Sequence, residues 1–281
     1  MTDARNRYRN APKNADYTID QDWASYSAEE HDRWNRLAAG VEALLPGRAA
    51  PEFITAVDKL GLGSGGVPDM GKLSEMLRPL TGWSVVPVAD LVPDEVFFDH
   101  LANRRFPAGA FIRSEAEMEY LEEPDIFHDV FGHVPLLADP VYADFMEAYG
   151  KGGAAAMARG QLANLARLYW YTIEFGLMKG EDGLRIFGAG ILSSTGEIRF
   201  SLESDAPNRV GFDLERVMRT KYEIDDYQQT YFVIDSFEAL REACYGDFSA
   251  LYDRLRDLPD IGPAEVVESD RVFHRGVGRA A

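Results

Sequence analysis

The stretch Glu123-Pro124-Asp125-Ile126-Phe127-His128-Asp129-Val130-Phe131-Gly132-His133-Val134-Pro135 packs two of the chain's five histidines and three carboxylates into thirteen residues. Pro124 suits the first turn of a helix, where its missing N–H costs nothing, and the acidic residues beside it favour the positive end of the helix dipole. The spacing predicts a helix that opens just before His128 and stops near Gly132-His133, ahead of Pro135. On an ideal helix, residues five apart differ by roughly 140° in direction. Both imidazoles can therefore meet one ion only if the backbone bends or ends between them, and Gly132 supplies that freedom.

Forty-one positions after His133, in Tyr169-Trp170-Tyr171-Thr172-Ile173-Glu174-Phe175-Gly176-Leu177, Glu174 stands alone among aromatic and aliphatic neighbours. Burying a lone carboxylate costs several kcal/mol or forces it to neutralise. A divalent metal held by His128, His133 and Glu174 would meet that need. The pattern is not that of the zinc proteases, whose histidines lie four apart with Glu next to the first. Two imidazoles and a carboxylate without a thiolate form the ligand set of non-haem iron oxygenases, and they leave one face of the ion open. On spacing alone zinc remains an alternative, as does a structural role in which the histidines cap or fill the core and Glu174 pairs with an arginine. His31, His100 and His274 have no ligand-like company and read as structural.

The totals bound the rest. At 281 residues and 46% hydrophobic, the chain can bury a real core. A net charge of −18, from 29 basic and 47 acidic residues, argues against nucleic-acid or anionic-membrane binding. Cys244 is the single cysteine, so no internal disulfide forms, and it falls in a helical pattern that makes it core rather than nucleophile. The N-terminus lacks an apolar stretch of signal length, and no window reaches ~18 uninterrupted apolar residues. A cytoplasmic protein is expected.

Residues 1–16 read as a flexible N-terminal tail and 17–281 as a single domain, mainly α with a small antiparallel β element. Ser27-Ala28-Glu29-Glu30 is a capping box, and Trp34, Leu37, Val41 and Leu44-Leu45 follow at helical spacing up to Pro46. Helices are predicted over Pro51–Leu60, Pro68–Leu77, Pro93–Leu101, Pro140–Ala158, Gln161–Met178 and Ser236–Leu255. The glycine cluster 61–66 is a turn; no Lys-Ser/Thr follows it, as a phosphate loop requires. Strands are predicted over Trp83–Val88, Ala110–Arg113 and Tyr231–Ile234, with Leu184–Gly190 and Glu197–Leu202 as a hairpin around Ser193-Ser194-Thr195-Gly196. The segment from Ile261 has no clear periodicity.

Six segments, in order, carry a resemblance. They are Asp20–Trp23, Pro93–Phe98, Leu101–Pro107, Glu123–Pro135, Tyr169–Leu177 and Gly188–Ser194. With them the chain resembles the pterin-dependent aromatic amino acid hydroxylases, and within them the short bacterial members, over nearly its whole length from about residue 20. The resemblance implies that family's catalytic-domain fold and Fe(II) on His128, His133 and Glu174, which would be the catalytic centre. It implies a tetrahydropterin stacked on Phe97, with Leu91, Asp129 and Tyr169 lining that region. It implies that Arg113 pairs with the substrate's carboxylate, that Trp170, Phe175 and Gly190 surround its ring, and that Ser193 lies on the substrate side beside a ligand histidine.

The implied reaction is hydroxylation of L-phenylalanine at C4 to L-tyrosine with O2 and the reduced pterin. Hydroxylation of tryptophan is the alternative within the family; a zinc-dependent hydrolase or a non-catalytic metal-binding module are the alternatives outside it. The animal members have Thr-Pro where this chain has Leu121-Glu122, and glutamate where it has Asp129. No heptad tail for tetramer formation is present, so a monomer is expected.

Overall fold

The computed structural model describes residues 4–118 and 123–278, so Leu121 and Glu122 lie outside the described residues. The chain divides into two compact units, Met1–Leu45 with Pro51–Lys151, and Pro46–Ala50 with Gly152–Ala281.

The first unit begins with α1 (Ala4–Arg9) and α2 (Ala28–Glu42). The predicted capping box opens α2: the Ser27 hydroxyl accepts the Glu30 N–H, and the Glu30 carboxylate accepts the Ser27 N–H at 2.7 Å. Next come α3 (Pro51–Leu60), α4 (Met70–Thr81), β1 (Ser84–Val88), α5 (Asp94–Ala102) and β2 (Arg105–Gly109). Strands β1 and β2 pair in parallel, with Ser84 opposite Arg105. A helix crossover between two strands makes them parallel, and α5 is that crossover. The predicted strand at Ala110–Arg113 is displaced, because β2 ends at Gly109. Ala110 still donates to the Val88 carbonyl, but the Arg113 N–H is taken by the Asp125 carboxylate, and the ladder ends.

Aromatic packing anchors the histidine segment in this unit. Phe127 and Phe131 are fully buried and stacked at 4.8 Å, and both meet Trp34 edge-on, at 5.2 and 6.4 Å. Burying each such ring contributes about 1.5–3 kcal/mol. The Trp34 indole N–H donates to the Leu62 carbonyl, so its one polar group is satisfied.

The second unit receives the end of α6 (Pro140–Ala158) and continues with α7 (Leu162–Tyr169), β3 (Leu177–Gly180) and β4 (Gly183–Ile186). Then follow α8 (Ala189–Leu192), α9 (Thr195–Glu203), β5 (Asn208–Gly211), α10 (Leu214–Arg219), β6 (Thr230–Ile234), α11 (Phe237–Cys244), α12 (Ser249–Leu255) and β7 (Val272–His274). The strands form one sheet in the order β4-β3-β6-β5-β7. It is mixed: β3–β4 and β5–β7 are antiparallel, whereas β3–β6 and β5–β6 are parallel.

The expected antiparallel element is thus only part of what forms. Helical segments separate β3 from β6 and β5 from β6, and such crossovers return the strands in parallel. The hairpin is Leu177–Gly180 with Gly183–Ile186, one step earlier than predicted, and residues 195–203 are helical. Cap chemistry overrides the apparent alternation there. The Ser194 hydroxyl accepts the Glu197 N–H, and Glu197, Ile198 and Ser201 form a buried helical stripe. Gly246, at φ 126°, lies between α11 and α12 and divides the single predicted helix. Among the described residues no helix is long and apolar enough to cross a membrane.

Candidate active site

Residues Phe127–His133 wind as a π-helical turn. Its i→i+5 bonding brings side chains five apart onto nearly one face. The expected local bend at Gly132 is therefore replaced by a widening of the whole turn. Asp125 accepts the His128 N–H at 3.1 Å at the start of the turn, and Val134 donates to the Val130 carbonyl at its end. The His128 and His133 rings stand nearly perpendicular, at 81°, with their Nε2 atoms 3.3 Å apart. His133 is 3% exposed and lies against Phe106, ring centroids 5.0 Å apart.

That nitrogen spacing tests whether a metal fits. With metal–nitrogen bonds of ~2.1 Å, two donors 3.3 Å apart subtend about 100° at a shared ion. This lies between octahedral and tetrahedral angles, as two adjacent ligands require. The chain's one thiol, Cys244, is buried, and desolvation raises its pKa far from the thiolate range.

Two carboxylates brace the turn. Asp129 accepts the Gly109 N–H at 2.7 Å, tying the turn to the end of β2, and burial raises its pKa. Asp125 is fully buried and grips Arg113, itself 8% exposed. The Arg113 Nε and Nη2 donate to its two oxygens at 2.9 and 2.8 Å, and the Arg113 backbone N–H adds a third bond at 2.9 Å. Burial alone would raise the Asp125 pKa; the Arg113 bonds and charge outweigh it, and the pKa is lowered. Arg113 therefore presents Nη1 as the nitrogen with no hydrogen bond to a described residue. Phe97 is half-buried on α5, edge-on to Phe98, while Leu91 is 82% exposed between β1 and α5.

In the second unit the long helix predicted over Gln161–Met178 stops at Tyr169, which is half-buried. Trp170–Glu174 is a second π turn, closed by the Phe175 N–H donating five residues back to the Trp170 carbonyl at 2.8 Å. Strand β3 then begins at Leu177. Glu174 is 9% exposed. Trp170 and Phe175 pack at 4.7 Å, and a Cβ at Gly190 would lie 2.9 Å from Phe175 Cζ and 3.1 Å from Glu174 Oε2. The structure thus brings Trp170, Glu174, Phe175 and Gly190 together. Ser193 is 8% exposed, and its hydroxyl donates to the Ala189 carbonyl.

Three residues that hold this constellation escaped the sequence reading. Asp125 orients Arg113, while Gln228 and Tyr222 hold Trp170. Asp125 had a visible signal, a carboxylate in the Glu-Pro-Asp motif; Tyr222 and Gln228 had none, being far from Trp170 in sequence.

Residues 4–254 match the model of the biopterin-dependent aromatic amino acid hydroxylase family. The chain is 60% identical over 261 residues to phenylalanine-4-hydroxylase of Caulobacter vibrioides, covering 93% of this chain and 89% of that protein. Against the enzyme of Ralstonia nicotianae the identity is 54% over the same length, covering 93% of this chain and 83% of that one. The iron- and phenylalanine-bound crystal structure of Chromobacterium violaceum phenylalanine hydroxylase superposes with a TM-score of 0.91 at 50% identity, covering 96% of this chain and 100% of that one. From its paired histidines to its fold, the chain belongs to the biopterin-dependent aromatic amino acid hydroxylases.

Proposed function

We propose that the chain is a phenylalanine 4-monooxygenase in which His128, His133 and Glu174 together hold one ferrous ion. The observation that carries the reading is the pair of imidazole nitrogens 3.3 Å apart on a π turn, a spacing suited to two adjacent ligands of one metal. The names of the relatives support phenylalanine as the substrate.

Iron and a tetrahydropterin, when bound, supply the activation of O2 and the two electrons that monooxygenation requires. The protein's own residues bind and orient. Arg113, held by Asp125, offers its outer guanidinium edge to the amino acid carboxylate. Trp170, Phe175 and Gly190 line the phenyl ring, and their apolar surfaces exclude water from it. Ser193 lies on the same side, its hydroxyl fixed by the turn of α8. Phe97 offers its half-buried face to the pterin ring, with Leu91, Asp129 and Tyr169 around it. The ring attack needs no protein acid or base, in keeping with a site built of aromatics around a metal. We place the protein in the cytoplasm as a monomer.

The test pairs metal binding with turnover. The parent should take up one Fe(II) per chain and form tyrosine from phenylalanine, pterin and air, whereas His133→Ala should lose both. Tyrosine formation by His133→Ala at the parent rate removes that residue from the role. Comparing kcat/KM for phenylalanine and tryptophan separates the two hydroxylase readings.

A further inference from the structure

We infer that Gln228 and Tyr222 are positioning residues that lock the Trp170 indole and thereby set which aromatic ring the site accepts. The inference rests on the reading above, in which Trp170 walls the substrate ring.

Trp170 is held on its face and at its edge. Tyr222 stacks on the indole with centroids 4.3 Å apart and planes within 12°, while Phe175 packs at 4.7 Å, tilted by 39°. The indole N–H donates to the Gln228 Oε1 at 2.8 Å. Gln228 is 4% exposed and is itself fixed, because its amide N–H groups donate to the Glu223 and Asp226 carbonyls at 3.3 Å. The start of the same segment is pinned by the Tyr171 hydroxyl, which donates to the Lys221 carbonyl at 2.6 Å.

An indole turns about two side-chain bonds, and stacking alone still permits it to slide in its own plane. A hydrogen bond at the ring edge removes that freedom, and a buried acceptor makes leaving it costly. A fixed indole gives the site a wall of fixed position, suited to one ring size. A loosened one lets the site expand, so that a larger bicyclic ring is accepted in place of phenyl. Selectivity between amino acid substrates then depends on Gln228 and Tyr222, which act through Trp170.

The test uses Gln228→Met, which removes the acceptor at nearly constant volume, and Gln228→Glu, which keeps one. Two quantities are read in the intact protein. One is the nitrogen-15 resonance of the Trp170 indole N–H, assigned by its loss in Trp170→Phe. The other is the ratio of kcat/KM for phenylalanine to that for tryptophan. In Gln228→Met the resonance should move to the position of an unbonded indole, and the ratio should fall roughly two- to tenfold, the range for one hydrogen bond. Gln228→Glu keeps the acceptor but loses the two N–H bonds to the Glu223 and Asp226 carbonyls, so it should shift the resonance and lower the ratio less than Gln228→Met does.

An unchanged ratio in Gln228→Met overturns the inference. If Trp170→Phe lowers the ratio in that case, the substrate-wall reading stands and only the lock is wrong. If Trp170→Phe also leaves it unchanged, the wall reading itself fails. Should Gln228→Met not fold, Tyr222→Leu removes the stacked face and is judged by the same ratio; no change there is equally fatal.

Discussion

Replacing Gly188 with alanine isolates how closely the backbone around Glu174 is fitted. Gly188 has φ −68° and ψ 130°, a conformation that alanine adopts freely, so no backbone strain enters. The added methyl would instead lie 2.4 Å from the Glu174 carbonyl oxygen, 2.4 Å from the Gly176 nitrogen and 2.7 Å from the Glu174 carbonyl carbon. Ordinary contact begins near 3.4 Å, so the two chains must part by about 1 Å. The atoms in the way are main chain and cannot swing aside. The Gly176 N–H also bonds the Thr172 carbonyl and helps close the second π turn. Overpacking of this kind costs roughly 1–3 kcal/mol, which in a chain of this size lowers the melting temperature by about 2–10 °C. A displacement of about 1 Å at a ligand should reduce kcat by about 10²-fold and weaken Fe(II) binding. Thermal unfolding, Fe(II) titration and steady-state tyrosine formation measure the three effects. Parental Fe(II) affinity together with parental kcat would refute the claim that Gly188 sets where Glu174 lies.

Three further outcomes follow from the same geometry. Asp125→Ala strands the buried Arg113 guanidinium and should cost about 3–5 kcal/mol in urea unfolding, with KM for phenylalanine raised more than kcat is lowered. Because the folded-state pKa of Asp125 is lowered, its pairing contributes fully above the ordinary carboxylate pKa of about 4 and is lost as pH falls through the folded value; the stability gap between parent and Asp125→Asn should therefore narrow on acidification below pH ~4, and a gap that widens contradicts the pairing. Chelation should abolish tyrosine formation, with Fe(II) restoring it and Zn(II) failing to, since zinc binds the same ligand types but has no redox chemistry; tyrosine formed at the parent rate with Zn(II) alone would contradict the role given to iron.

How far the sequence alone reaches depends on what kind of force placed each residue. The Ser27–Glu30 cap was legible because both partners of each hydrogen bond lie within four residues. The histidine pair was legible as chemistry but not as geometry. Two imidazoles five apart do not share a face on an α-helix, and nothing local in Phe127–His133 announces a π turn; the distant Trp34, against which its Phe127 and Phe131 pack, anchors it from outside. The second π turn was hidden for the same reason inside what reads as one long helix. The hairpin was misplaced because residues 197–202 alternate in polarity, whereas the signal that decides them is the Ser194-x-x-Glu197 cap just before. The sheet's parallel pairings depend on long crossovers and were not readable from strand-length patterns. Arg113 was legible only through resemblance. Its grip on Asp125, and that of Gln228 on Trp170, belong to tertiary structure.

The most direct test of the account is product analysis of the purified protein given L-phenylalanine, Fe(II), a reduced pterin and air. The account predicts L-tyrosine, hydroxylated at C4, formed only when all four are present and absent in Glu174→Ala and His128→Ala. Tyrosine formed without iron or pterin, or none formed by a protein that has bound one Fe(II) per chain, contradicts it.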